Sequence, residues 1–135
     1  MWLLRNFEKE SGRNVQVYVD ALYGHADRYG YDTLGLPVDE LLTDGRVQTP
    51  SHRVWPVTEA IRANVREAAG GRAGAPAKAA RLADALFDRF LTKSPPGGWI
   101  DRLDAKGGPA TDFMPASTLY HILGAVEELV SAAPH

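Results

Sequence analysis

The sequence contains no cysteine, which excludes a disulfide framework and thiolate chemistry. It has no surplus charge of one sign: 15 Lys and Arg stand against 17 Asp and Glu, a formal net charge of −2. The basic residues are scattered along the chain, which argues against a nucleic-acid footprint. No apolar run is long enough to span a bilayer. The apolar start of "MWLLRNFEKESGR" is too short for a signal peptide and meets acidic residues at once. There is no metal-ligand cluster, no Gly-rich phosphate loop and no serine nucleophile elbow. What is present is a chain of 135 residues, 44% hydrophobic and 24% charged, the size and balance of one folded domain. A soluble cytoplasmic protein with no membrane or nucleic-acid partner is expected.

The apolar residues recur mostly at helical spacing. Trp2 to Glu10 reads as a helix stopped by "SGRN". Val15, Tyr18, Val19, Leu22, Tyr23 and Ala26 predict a second helix, ended by Gly30. The stretch from Tyr31 to Pro56 is not helical, and within it "VDELLTDGRVQ" predicts a β-hairpin turning at Asp44-Gly45. Pro56 suits the first position of a third helix, running to about Ala69. After the break "GGRAGAP", Ala79, Leu82, Ala83, Leu86, Phe87, Phe90 and Leu91 give the clearest amphipathic helix, which "SPPGG" stops. "WIDRLDAKGGPATD" predicts a second hairpin around Gly107-Gly108. A last helix presents Leu119, Ile122, Leu123, Val126, Leu129 and Val130 on one face. Two hairpin loops follow alternate helices, each with a tryptophan near its end, Trp55 and Trp99. Helix pairs with long loops on one side predict an all-α fold of the α/α toroid or solenoid kind.

His121 is the sharpest candidate for chemistry. At about 100° per residue it lies nearly opposite the centre of the last helix's apolar stripe. On a simple surface helix that side is solvated; in a toroid it lines a cavity, where an imidazole moves protons near neutral pH. Spacing leaves both readings open. "HRVWPVTEAIRA" gathers His52, Arg53, Trp55 and Glu59 at a loop-to-helix junction, a common place for binding residues. Arg clamps sugar hydroxyls or a phosphate, Trp stacks on a sugar face, and Glu accepts hydroxyl hydrogen bonds. The plainer reading makes Trp55 a staple before the helix and Glu59 a favourable acid in its first turn. Trp99, after two glycines, is equally a pocket wall or a cap on the core's edge. His25 reads as structural, and His135 is terminal.

Three segments together resemble the N-acylglucosamine 2-epimerase superfamily of (α/α)6 barrels. "RVWPVTEAIRA" is similar to that family's Arg-x-Trp-Pro-x-Thr-Glu helix start. "GGWIDRLDAKGGPATD" is similar to its Trp-containing hairpin, and "MPASTLYHILGAVEEL" to its last helix, where Tyr-His carries a catalytic histidine. The branch most resembled is the one described as mannose-6-phosphate isomerase-like or mannose isomerase-like. Val57 departs from the Gln frequent there. The resemblance runs along the whole chain but covers only the C-terminal part of the longer family members. It implies that residues 1–135 form one domain, the C-terminal part of an (α/α)6 barrel with short β-hairpin loops. It implies aldose–ketose isomerisation or C2 epimerisation of a mannose- or N-acylglucosamine-type sugar, free or phosphorylated. His121 would be one of two general acid/base histidines, with Arg53, Trp55, Glu59 and Trp99 shaping the sugar pocket and no metal or cofactor required. The family's other histidine lies in a His-x-x-Glu-Trp segment just before a "WLL" helix, and this sequence opens with "MWLLRNF". The chain alone is therefore expected to be inactive and to self-associate through helix faces. The alternative is a non-catalytic helical fragment or interaction module that keeps the scaffold. A glycoside-active α/α barrel needs paired carboxylates facing one sugar, and the sequence offers no convincing pair.

Overall fold

The structure, a computed structural model, describes residues 2–133; His135 lies outside them. Five α-helices are present among these residues: α1 (Trp2–Ser11), α2 (Gln16–Tyr29), α3 (Val54–Ala69), α4 (Ala75–Ala85) and α5 (Leu119–Ala132). Four short strands complete the order: β1 (Glu40–Leu41), β2 (Val47–Thr49) and β3 (His52–Arg53) before α3, and β4 (Arg102–Leu103) after α4. The chain is thus mostly helical, as its periodicity predicts. None of the described helices is long and apolar enough to cross a membrane.

Helix α3 is the hub. Val54, Val57 and Ile61 recur along one side of it and are fully buried, and that side packs against α4 and α5. Leu82, Leu86 and Phe90 enter the same cluster from the α4 side, Ile122 and Ala125 from α5, and Leu36, Ile100 and Leu103 from the loops. Burial of each large side chain contributes about 1.5–3 kcal/mol. Helix α4 does not stop at Ala85. It widens into a π-helical stretch, Leu86–Leu91, closed by the Thr92 amide donating to the Phe87 carbonyl at 2.9 Å. Beyond it the Phe90 carbonyl, among the last that a helix leaves without an internal partner, accepts the Ile100 amide at 2.8 Å.

The first hairpin forms where the Asp44-Gly45 signal puts it. Leu42 and Arg46 close the turn, and Gly45 adopts φ +89° with the Tyr29 ring so close that any Cβ would collide with it. The second turn also forms at Gly107-Gly108, where the Asp104 amide donates to the Gly108 carbonyl and the Ala110 amide to the Arg102 carbonyl, both at 2.8 Å, but a further pairing joins it. Strand β4 pairs with β3, in the register His52↔Leu103 and Arg53↔Arg102, and closes on its own loop only through a single bridge, Leu103↔Pro109. Proline has no amide to extend a ladder, and β4 pairs instead with the strand that ends the first loop. This pairing pins residues 101–103 to the start of α3, where the Val54 amide donates to the Asp101 carbonyl at 2.9 Å.

The apolar stripes also need correcting. On α5, Ile122 and Ala125 are buried, whereas Leu119, Leu123 and Val130 are exposed. On α2, Val19 is buried and Tyr18 and Leu22 are exposed; on α1, Leu3 and Phe7 are exposed. These stripes are wider than the helix neighbours available to cover them. Thr118, His121, Ile122 and Ala125 are successive neighbours on α5, so the side bearing His121 adjoins the buried one.

Candidate active site

The turn Ala116–Thr118 leads into α5 and places Tyr120 and His121 in the first turn of that helix. Residues 53–59 place Arg53 at the end of β3 and Trp55 and Glu59 on successive turns of α3. The two segments meet. His121 Nδ1 lies 2.9 Å from Glu59 Oε1. A carboxylate only accepts, so Nδ1 carries a proton and donates it, and in the neutral ring the lone pair is then on Nε2. Glu59 Oε1 also accepts from Arg62 at 3.0 Å. The imidazole sits between two aromatic rings: Tyr120 at 3.9 Å between centroids and Trp55 at 5.8 Å. Trp55 is 40% exposed, so its ring is not sealed into the core as a staple would be.

Around this pair opens a cleft of about 320 Å³, lined by Arg53, Trp55, Asp101, Thr118, Tyr120 and His121 together with Pro115 and Ser117. The Arg53 amide donates to Asp39 Oδ1 at 2.7 Å, and its guanidinium lies 3.9 Å from Asp39 Oδ2. The Ser51 hydroxyl donates to the same carboxylate, and Arg102 approaches it at 3.7 Å. Asp39 thereby holds the cleft's cation in place while partly neutralising it.

Arg53, Trp55, Glu59 and His121 are brought together as anticipated. Trp99 is not among the residues lining this cleft. Its indole packs on the hydrophobic cluster, and its amide donates to Met114 Sδ at 3.1 Å. His52, the neighbour of Arg53 in sequence, is fully buried. Its Nδ1 bonds the Pro37 carbonyl at 2.9 Å, and its Nε2 lies 3.2 Å from Asp32 Oδ2 without hydrogen-bond alignment; it ties the loop to β3. His25 lines a separate recess of about 360 Å³ between α2 and α3, with Tyr23, Tyr31 and Asn64. No group of three or more His, Cys, Asp or Glu placed to hold a metal ion occurs among the described residues.

Sequence reasoning missed several residues of the cleft, Tyr120, Thr118 and Asp101 among them. Tyr120 adjoins His121, and only three dimensions show it stacking there. Thr118 reads as a helix-start residue, but its hydroxyl donates to Asp101 Oδ1 at 3.0 Å. Asp101 sits inside "WIDRLD" with no periodicity to single it out. Its burial and its position opposite α5 follow from the β3–β4 pairing.

The profile of the N-acylglucosamine 2-epimerase (GlcNAc 2-epimerase) family matches residues 1–125. A protein of Rhizobium meliloti (strain 1021) named mannose-6-phosphate isomerase is 37% identical over 135 aligned residues. That alignment covers 95% of this chain and 34% of the relative, so the chain spans about a third of that protein's length. Both matches take in the segments that build the cleft, and the chain belongs to the N-acylglucosamine 2-epimerase family.

Proposed function

We propose that this chain carries part of the proton-transfer machinery of a sugar isomerase or 2-epimerase, as one domain forming the C-terminal part of an (α/α)6 barrel. The observation that carries the reading is the Glu59–His121 hydrogen bond at the floor of an aromatic-flanked cleft. His121 Nε2 takes the proton from C2 of the sugar, and the electron pair passes into an enediolate. Return of a proton to C1 gives isomerisation; return to the opposite face of C2 gives epimerisation and requires a second group. Glu59 is a positioning residue that fixes the imidazole's tautomer and bears the charge that develops on it. Trp55 stacks on the sugar, and Arg53 binds its hydroxyls or a phosphate. Trp99 packs on the core and is left out of the sugar contacts. The substrate class is a mannose- or N-acylglucosamine-type sugar, and this route calls on no metal or cofactor.

Among the described residues, His121 is the cleft's one histidine, so the chain alone supplies one acid/base group to an open site flooded by water. The test is deuterium incorporation at C2 of mannose, glucose and N-acetylmannosamine, followed by NMR in D₂O. The chain is assayed alone and together with the N-terminal portion of the Rhizobium meliloti relative. The expected result is exchange by the pair, negligible exchange by the chain alone, and none by the pair carrying His121→Ala. Robust exchange by the chain alone overturns this division of roles. Full activity of the His121→Ala pair makes His121 a surface histidine, and an inert pair favours the non-catalytic scaffold.

A further inference from the structure

Among the described residues no cation pairs with the Asp101 carboxylate. It is only 6% exposed, yet it lines the His121 cleft. Its backbone carbonyl is taken by the Val54 amide, and one side-chain oxygen, Oδ1, by the neutral Thr118 hydroxyl at 3.0 Å. Among the described residues nothing bonds Oδ2, which is also not among the sealed polar atoms left without a partner. A carboxylate this far from water needs its lone pairs used, and the open space beside Oδ2 is the cleft. The opposite charge in the cleft is weakened: Arg53 leans on the buried Asp39 carboxylate, which Arg102 shares. The wall at Asp101 is therefore acidic, and the cation that would balance it is already engaged elsewhere.

We propose that Asp101 is a specificity-determining residue, whose free Oδ2 accepts a hydrogen bond from a hydroxyl of a neutral sugar and whose charge turns away a phosphorylated one. The inference rests on the cleft being a sugar site, and it narrows the substrate class to sugars bearing hydroxyls, not an anion, at that wall. A carboxylate–hydroxyl bond in a partly dry site is worth roughly tenfold or more in affinity, and like charges at close range disfavour binding.

The test is an NMR titration of the 135-residue chain, reading the Trp55 indole and His121 ring signals, with D-mannose and with mannose 6-phosphate. The parent protein is expected to bind mannose more tightly than its phosphate. Asp101→Asn keeps the shape and an acceptor for Thr118; it is expected to weaken mannose binding about tenfold and to abolish or reverse the preference. Thr118→Val cuts the tie between the two segments but leaves Oδ2 in place, and the preference is expected to survive. An Asp101→Asn protein with native amide signals and the parent's affinities overturns the proposal, leaving Asp101 a structural tie. So does tighter binding of the phosphate by the parent. Absence of any cleft response to either sugar in the parent overturns the sugar-site reading itself, and this assignment with it.

Discussion

His52 and His121 sit in opposite surroundings, one buried and one at a partly open cleft, and stability separates them. His52 is sealed in the protein and holds the Pro37 carbonyl; replacing it with Ala opens a cavity and strands that acceptor. The expected loss is about 2–4 kcal/mol, measured by chemical denaturation. His121→Ala forfeits one hydrogen bond at a partly open site, and the expected loss is about 1 kcal/mol. A second residue-scale prediction concerns acid. The amides of Gly108 and Lys106 hold the Asp104 carboxyl below its ordinary range. A lowered folded-state value means that stability is complete above the unfolded value, near pH 4, and is lost as pH falls through the folded one. Asp104→Asn should therefore be less stable than the parent above about pH 5, with the two converging near pH 2. Parallel thermal-melt curves across that range would contradict it.

Among the elements, the joint between α1 and α3 is the most exposed to a single change. Glu67, nearly sealed on α3, accepts from Arg5 of α1 at 3.0 and 3.1 Å and from Arg72 at 2.9 Å. Glu67→Ala removes the acceptor they share, although Arg5 keeps Glu8 and Arg72 keeps Asp20, at an expected cost of about 1–3 kcal/mol, with α1 amides losing hydrogen-exchange protection first. The helices themselves were legible because their apolar residues repeat: of the stripe read on α4 and its π-helical extension, Ala79, Leu82, Leu86 and Phe90 are buried, though Phe87 is exposed. The strands were half legible. Asp44-Gly45 marks its own turn chemistry, whereas the β3–β4 pair joins residues fifty apart by backbone bonds that leave no trace in side-chain pattern. The cleft follows the same division. Arg53, Trp55 and Glu59 share one local stretch, but Asp101 reaches them only through that unseen pairing. On α5, periodicity found an apolar face but could not say which part of it meets α3.

At the scale of the whole molecule, the chain has more apolar helix surface than neighbours. Leu3 and Phe7 lie exposed on α1, Tyr18 and Leu22 on α2, and Leu119, Leu123 and Val130 on the last helix. Exposed apolar patches beyond a few hundred Å² are uncommon on soluble monomers, so the isolated chain is expected to self-associate. Light scattering should show mass rising with concentration, and Leu3→Glu with Leu123→Glu should suppress it; a monodisperse parent protein would count against the prediction. One joint has the opposite, insulating effect. The Ile100 amide closes onto the Phe90 carbonyl, and within the intervening loop the Ser94 hydroxyl bonds the Leu91 and Gly98 carbonyls. The segment from Thr92 to Trp99 is thus pinched off at its neck, and Asp101 hangs from the neck rather than from the loop. Length in this loop is free to drift: residues added between Pro96 and Gly97 lengthen a closed bight at little entropic cost, while the cleft keeps its dimensions. Between Pro96 and Gly97 a tag, a label or a second domain can therefore be spliced with Asp101 and its cleft left in place.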